Sequence, residues 1–233
     1  MKLSELLKEL ALGELSSMAF SQTGTVKDDS HPKVITAINA ALTDMYSRIH
    51  LLEREVIVQT LEWKSLYYLR PEFAQMSNSN ERYKYIIDTP ANPFTGDLVK
   101  ILGVTNERGD PLPMNDAEQW ASVFTPHFDA VQFNHPGYNQ VFLVQYQALH
   151  PVLKSDGEDY LDQKILVPSV MLEMLRIKTA ANIYSPMSGQ EYAAKTQALE
   201  AAYEMRHNDI LQRNQVGDSG VNTNIKLHRR GFC

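Results

Sequence analysis

The sequence predicts an α+β protein: a helical bundle with an antiparallel β insertion and an extended C-terminal tail. Three observations carry this. Apolar residues recur at helical spacing in residues 31–49 and again in 168–213. Between them, residues 53–150 are rich in short β-branched and aromatic runs separated by Pro, Gly and Asn. After Arg213 the periodicity stops, yet the chain keeps apolar residues almost to its last position. The expected organisation is therefore N-terminal bundle helices in 1–52, a β-rich insertion in 53–150, a C-terminal helix pair in 151–213 and an extended arm in 214–233.

Taken in order, Ser4-Glu5-Leu6-Leu7-Lys8-Glu9-Leu10 predicts a short capped helix, and residues 11–29, small and aperiodic, predict a loop. Asp29 or Ser30 is suited to cap the next helix, with Pro32 in its first turn, where a missing N–H costs nothing. Val34, Ile35, Ile38, Leu42, Met45, Tyr46 and Ile49 then keep helical spacing. From Glu55 to Leu61 the chain is β-rich, and Leu66-Tyr67-Tyr68-Leu69 follows a polar turn as the second arm of a hairpin would. Residues 71–80 predict a short helical turn or loop, and Tyr85-Ile86-Ile87-Asp88 leads into Thr89-Pro90-Ala91-Asn92-Pro93. A strand over 98–104, a turn at 106–110 and a return at 112–114 come next. Val123-Phe124 and residues 130–133 flank Pro126, and residues 140–147 place Val141 and Leu143 on one face, with Phe142, Val144 and Tyr146 on the other.

Pro168 opens the penultimate helix. Met171, Leu172, Met174, Leu175, Ile177, Ala180, Ala181, Ile183 and Tyr184 surround most of it, too wide a distribution for a single stripe, so cover on more than one side is expected. Ser185-Pro186 ends it, and Ser188-Gly189-Gln190-Glu191 spells a capping box for the last helix. That helix is expected to run to about Arg213, with Tyr192, Leu199, Ala202, Tyr203 and Ile210 on one face and a Glu191–Lys195 pair on the other.

Composition narrows the function classes. Hydrophobic residues make up 43% and charged residues 21%, ordinary for a globular chain, and no apolar run approaches the ~18 residues of a membrane helix. The N-terminus lacks the apolar core of a signal peptide, so cytosolic synthesis is expected. One cysteine, Cys233, rules out disulfide frameworks, Cys-zinc sites and Cys-x-x-Cys redox chemistry. The net charge of −6 divides unevenly. Lys226, Arg229 and Arg230 against Asp218 leave 214–233 at +2 and residues 1–213 at −8. An acidic body is a poor wrapper of nucleic acid, whose binding is driven by phosphate neutralisation, whereas the basic tail suits an acidic protein surface.

Catalytic signatures are missing: there is no Gly-rich phosphate loop, no His-Glu-x-x-His and no Gly-x-Ser-x-Gly. His127 and His135 stand eight apart among prolines, not a metal-ligand spacing. Asp88, Asp97, Asp110, Asp116 and Asp129 border predicted turns, where Asp serves its own backbone. Arg108-Gly109-Asp110 spells an integrin-type triplet but reads as turn chemistry. Trp63, Tyr67, Tyr68, Tyr83 and Tyr85 are an aromatic cluster suited to a sheet core or a protein interface more than to a sugar or base. No enzyme and no cofactor is expected.

Several stretches carry a resemblance. They are Leu3-Ser4-Glu5-Leu6-Leu7-Lys8-Glu9-Leu10 with Gly13-Glu14-Leu15; His31-Pro32-Lys33-Val34 through Leu42-Thr43-Asp44-Met45-Tyr46; and Tyr85-Ile86-Ile87-Asp88-Thr89-Pro90 with Pro93-Phe94 and Asp97-Leu98-Val99-Lys100-Ile101. Ser122-Val123-Phe124-Thr125-Pro126, Tyr146-Gln147-Ala148-Leu149-His150-Pro151 and the helix pair at 168–213 complete the set. In their order over roughly 1–213 they resemble the head-to-tail adaptor (connector, or head-completion) proteins of tailed bacteriophages, particularly short-tailed ones. None of the stretches is a catalytic signature; the likeness lies in their sum.

That resemblance implies a structural virion protein at the head–tail junction, made in the host cytoplasm. It implies a self-assembled ring of twelve copies beneath the portal protein, with a tail tube or nozzle protein on the other side. Double-stranded DNA would pass through the ring without specific binding, and no membrane is involved. Carried onto this chain, Ile225, Lys226, Leu227, Arg229, Arg230 and Phe232 would form the portal-binding arm, and the β region would contact neighbouring subunits or tail proteins. Met171, Leu172, Leu175, Ile183, Tyr192, Leu199 and Tyr203 would form the bundle and its subunit contacts. A tail or baseplate subunit that assembles independently of the portal is the alternative, and an unrecognised wall hydrolase a third reading.

Overall fold

In a computed structural model of the protein, which describes residues 1–22, 24–134 and 137–213, the apolar spacing at the N-terminus becomes helix α1 (Leu3–Leu12). Leu3, Leu6, Leu7, Leu10 and Ala11 are buried along one face, and the Glu5 carboxylate accepts the Lys2 N–H at 2.8 Å, satisfying a donor the helix leaves open. The segment expected to be a plain loop instead holds a two-residue hairpin, β1 (Ser21–Gln22) with β2 (Thr25–Val26), and a 3-10 turn at Asp28–Ser30. Strands this short carry no alternation for a sequence pattern to reveal. Helix α2 (His31–Arg48) follows with Pro32 in its first turn. Its N-cap Ser30 makes no side-chain capping bond.

The chain divides into two units: a helical unit of residues 1–50 with 150–213, and a β unit of residues 51–149. The protein is mixed α+β, with helices contributed from both sides of an antiparallel β insertion. The proposed arm 214–233, with Ile225, Lys226, Leu227, Arg229, Arg230 and Phe232, lies outside the described residues.

In the β unit, strands β3 (Glu53–Gln59), β4 (Leu66–Tyr68), β5 (Ile86–Ile87), β6 (Leu98–Thr105), β7 (Val123–His127), β8 (Ala130–Phe133) and β9 (Val141–Ala148) form two antiparallel sheets. One has the order β5-β3-β9-β6 and the other β4-β8-β7. The hairpin expected between residues 55–61 and 66–69 does not form: β3 pairs with β5 and β9, and β4 pairs with β8. The reason lies in the link between them. The Tyr67 hydroxyl accepts the Leu61 N–H at 2.8 Å and donates to the Lys64 carbonyl at 2.6 Å, which folds residues 61–64 into a compact crossing from one sheet to the other. The expected return strand at 112–114 is also not a strand. Only single bridges occur there, Thr105 with Pro111 and Met114 with Val123, because Pro111 and Pro113 have no N–H to extend a ladder. The alternation of β9 is as expected: Val144 and Tyr146 join Val56, Val58, Tyr67, Tyr85, Val131 and Phe133 in one core between the sheets, with Phe142 packed against it.

In the helical unit, a 3-10 turn at Ser169–Met171 opens into α3 (Leu172–Tyr184). Met174, Leu175, Ile177, Ala180, Ala181, Ile183 and Tyr184 are buried, and α1, α2 and α4 (Gln190–Gln212) pack around it. The cover on several sides that its broad apolar surface predicts is thus present. The capping box predicted at Ser188–Glu191 is not. Gly189, at φ 130°, is the N-cap and Gln190 the first helical residue, so Glu191 sits too early to reach back. Nor does Lys195 bond Glu191; its ammonium donates to the Tyr184 hydroxyl at 2.6 Å and to Ser17 Oγ at 3.2 Å.

Candidate functional site

Helix α4 is 23 residues long, yet only Tyr203 and Ile210 are buried. The rest of one side, with Ala194, Ala198, Ala201 and Met205 at helical spacing, faces outward, and Met205 is 72% exposed. Small side chains in that pattern let a second helix approach closely. What anchors α4 is polar. The Tyr203 hydroxyl donates to Asp44 Oδ2 at 2.6 Å, Lys178 meets Glu200 at 2.8 Å, Arg48 meets Glu204 at 2.7 Å, and Arg206 meets Glu173 at 2.8 Å. Two cations flank the Tyr203 ring, Lys178 at 5.0 Å and Arg48 at 5.7 Å from its centroid. Burial, and then the Asp44 carboxylate, push the Tyr203 phenol well above its ordinary range. The hydrogen bond to Glu204 raises Arg48 in turn.

The second surface is the outer face of the four-stranded sheet. Because β3 and β9 alternate, Val56, Val58, Val144 and Tyr146 point into the core while Ile57 and Leu143 point out, joined by Ile87 of β5 in register with Ile57. Around them Glu53, Glu55, Gln145 and Asp88 line a shallow cleft of about 670 Å³. Its polar groups are committed to structure. Asp88 accepts the N–H groups of Met76 and Phe94, at 2.9 and 3.1 Å, and Gln145 donates to Glu55 at 3.1 Å. At one end Arg54 meets Asp97 at 2.9 Å, and the Tyr146 hydroxyl donates to the same carboxylate at 3.1 Å. Desolvation, reinforced by Asp97, raises the Tyr146 phenol. An apolar strip rimmed by carboxylates suits a partner surface better than a reaction chamber.

The residues singled out by sequence fall as follows. Met171, Leu175, Ile183 and Tyr203 are buried in the helical unit, Leu172 and Leu199 are half-buried, and Tyr192 is exposed at the start of α4. Those on the outside are therefore Tyr192 and, in part, Leu172 and Leu199. Sequence reasoning missed Ala201 and Met205, although the spacing of Ala194, Ala198, Ala201 and Met205 was there to read. The aromatic cluster separates in two: Tyr67 and Tyr85 meet edge to face at 5.0 Å in the core, while Trp63 and Tyr83 are exposed. Asn106-Glu107-Arg108-Gly109-Asp110 is a turn, with the Asn106 side chain accepting the N–H groups of Arg108 and Asp110 at 2.9 Å and Gly109 at φ 82°. His127 stacks on Tyr68, and His135 lies outside the described residues. Asp116 caps the N–H of Glu118, and Asp129 pairs with Arg70 at 2.8 Å, which the pairing raises.

Among the described residues no group of three or more His, Cys, Asp or Glu is placed to hold a metal ion. Among the same residues no helix is long and apolar enough to cross a membrane. No protein-family model matches the chain, and no curated protein is significantly similar to it.

Proposed function

We propose that this protein is a structural, non-enzymatic head-to-tail adaptor of a tailed bacteriophage, which assembles as a ring under a portal and joins the DNA-filled head to the tail. The observation that carries the reading is the layout: both sides of the chain close into one helical unit, and a separate β unit is inserted between them at 51–149. This is the organisation that the resemblance of residues 1–213 implies for such adaptors. The uncovered face of α4 supports self-assembly, since a long helix with two buried residues keeps a side available for a neighbouring copy. The open face of the β5-β3-β9-β6 sheet gives the insertion a surface for neighbours or tail proteins.

In this reading residues 214–233 dock on the portal. Twenty residues fully extended span about 65–70 Å, enough to cross a neighbouring subunit. Repetition around a ring makes weak individual docking sufficient. The −8 charge of residues 1–213 lets double-stranded DNA pass without adhering.

Mass photometry of the protein with its cognate portal ring tests this, for the full chain and for a 1–213 truncation. The full-length chain alone should load the portal in many copies. Equal loading by both would remove the arm from the mechanism and leave the adaptor. Loading by neither would overturn the adaptor reading and favour a tail or baseplate subunit that assembles without the portal.

A further inference from the structure

Strand directions in the β unit bring three of its connecting segments to one end. The chain enters β3 and leaves β9 side by side, Glu53 opposite Gln147. At the far end Gln59 stands opposite Val141, and β6 finishes at Thr105 opposite Leu143. The loop 60–65 leaves from there, residues 137–140 arrive there, and the Tyr85 carbonyl accepts the Gln59 N–H at 2.8 Å beside them. Thr60 braces the two loops, donating through its hydroxyl to the Gly137 carbonyl at 2.6 Å and accepting the Asn139 N–H on its own carbonyl at 3.1 Å. Residues 106–122 reach the same end, since Trp120 borders a hollow of about 150 Å³ with Asn134 and Gln140.

Four exposed aromatic side chains of the β unit stand at this end, whereas Phe128, 69% exposed, lies in the turn between β7 and β8. Trp63 is 66% exposed, Trp120 75%, Tyr138 67% and Tyr83 39%. Trp63 and Trp120 are the only tryptophans in the chain. Leaving large apolar side chains in water is unfavourable by roughly 25 cal/mol per Å², and clustered exposed Trp and Tyr mark the centres of protein interfaces. Charge selects the kind of partner. The loops carry Glu62, Glu107, Asp110, Asp116 and Glu118 against Lys64 and Arg108, and the segment that brings Tyr83 adds Glu81 against Arg82 and Lys84, with Arg82 5.2 Å from the centre of the Tyr83 ring; carboxylates remain in excess. Lys64 is turned inward, 4.2 Å from the centre of the Tyr85 ring and 5.0 Å from that of Phe73, so little of its charge reaches the surface. An acidic collar is repelled by anionic membrane surfaces. Trp63 and Tyr83 meet at 68°, which denies a sugar ring a flat platform.

We propose that the far end of the β unit, presenting Trp63, Tyr83, Trp120 and Tyr138 within an acidic collar, is a docking surface for a second protein that offers arginine or lysine among apolar side chains. Aromatic faces and carboxylates both receive a guanidinium, the first by cation–π attraction and the second by paired hydrogen bonds. The inference rests on the adaptor reading in one respect: the partner is taken to be the tail-side component that such an adaptor would join.

The test uses full-length protein and the purified tail-tube protein of the same phage in biolayer interferometry, with portal loading read separately by mass photometry. Trp63→Ala with Tyr138→Ala should weaken tail-side binding at least ~30-fold, as expected for interface anchors, and leave portal loading and circular dichroism unchanged. Trp63→Phe should retain most of the affinity, and Val152→Ser, exposed on the helical unit, should match wild type. Glu62→Lys with Glu118→Lys should slow association and flatten its salt dependence. Wild-type protein that does not bind the tail-tube protein, or an aromatic double variant that binds within twofold of wild type, overturns the docking surface. Failure on portals with aromatic-dependent tail-side binding intact overturns the adaptor reading instead and upholds the docking surface.

Discussion

Replacing Tyr203 by Phe removes one oxygen from the polar layer that holds α4 to the rest of the helical unit. The hydroxyl lies 2.6 Å from Asp44 Oδ2, and the ring is fully buried. Hydrogen bonds to charged groups contribute about 1.5–3 kcal/mol. Asp44 keeps a second partner, Arg48 Nε at 3.2 Å, and is not left as an orphaned charge, which places the expected loss in the lower half of that range, about 1.5–2 kcal/mol. At roughly 2–4 °C per kcal/mol for a chain of this size, the melting temperature followed by helical circular dichroism should fall by about 3–8 °C. A double-mutant cycle with Asp44→Asn isolates the pair and should return a coupling of about 1 kcal/mol or more. A Tyr203→Phe variant within about 0.5 kcal/mol of wild type would refute the reasoning, since the bond would then contribute nothing beyond ring packing.

Four other outcomes are expected. Asp97→Asn removes the charge that Arg54 meets at 2.9 Å in a half-buried site, and should lower the stability of the β unit by about 1–3 kcal/mol, read from urea unfolding by near-ultraviolet circular dichroism. Gly189→Ala places a side chain at φ 130°, where L-residues are strained, and should cost about 1–3 kcal/mol by thermal unfolding. Burial raises the phenol of Tyr46 to about 12 and also raises those of Tyr85, Tyr146 and Tyr203. These groups hold their protons more tightly folded than unfolded, so their contribution is complete below pH ~10 and is lost as pH rises through the folded values. Stability against urea should therefore decline steeply above pH ~10, and a flat profile to pH 12 would contradict the burial of these phenols. Ala201→Glu with Met205→Glu should leave the monomer folded and abolish ring formation on the portal, checked by mass photometry beside circular dichroism.

Sequence periodicity located the long elements because it is a local consequence of burial. The spacing of Val34, Ile38, Leu42 and Met45 is what one buried face of α2 requires, and the apolar surround of α3 is what three neighbouring helices require. The alternation in β9 likewise put Val144 and Tyr146 on one face, and packing then made that face the core. Local chemistry was less decisive. Ser188-Gly189-Gln190-Glu191 satisfies the spelling of a capping box, but Gly189 can take a backbone angle that Ser188 cannot, and that choice moved the helix start past the box.

Tertiary structure alone decided which segments meet. Residues 53–59 and 66–68 are neighbours in the chain and belong to different sheets, because β3 finds β9 some ninety residues later and Tyr67 ties the connecting turn. Pairing across such distances leaves no mark in either segment's own pattern. The same holds for the candidate surfaces. Composition showed two tryptophans and an acidic body, but only strand direction brings Trp63 and Trp120 to the same end of the β unit. A sequence determines which side chains are available and which local conformations suit them; whether an aromatic residue ends in the core, like Tyr85, or in solvent, like Trp63, depends on packing against residues far away in the chain.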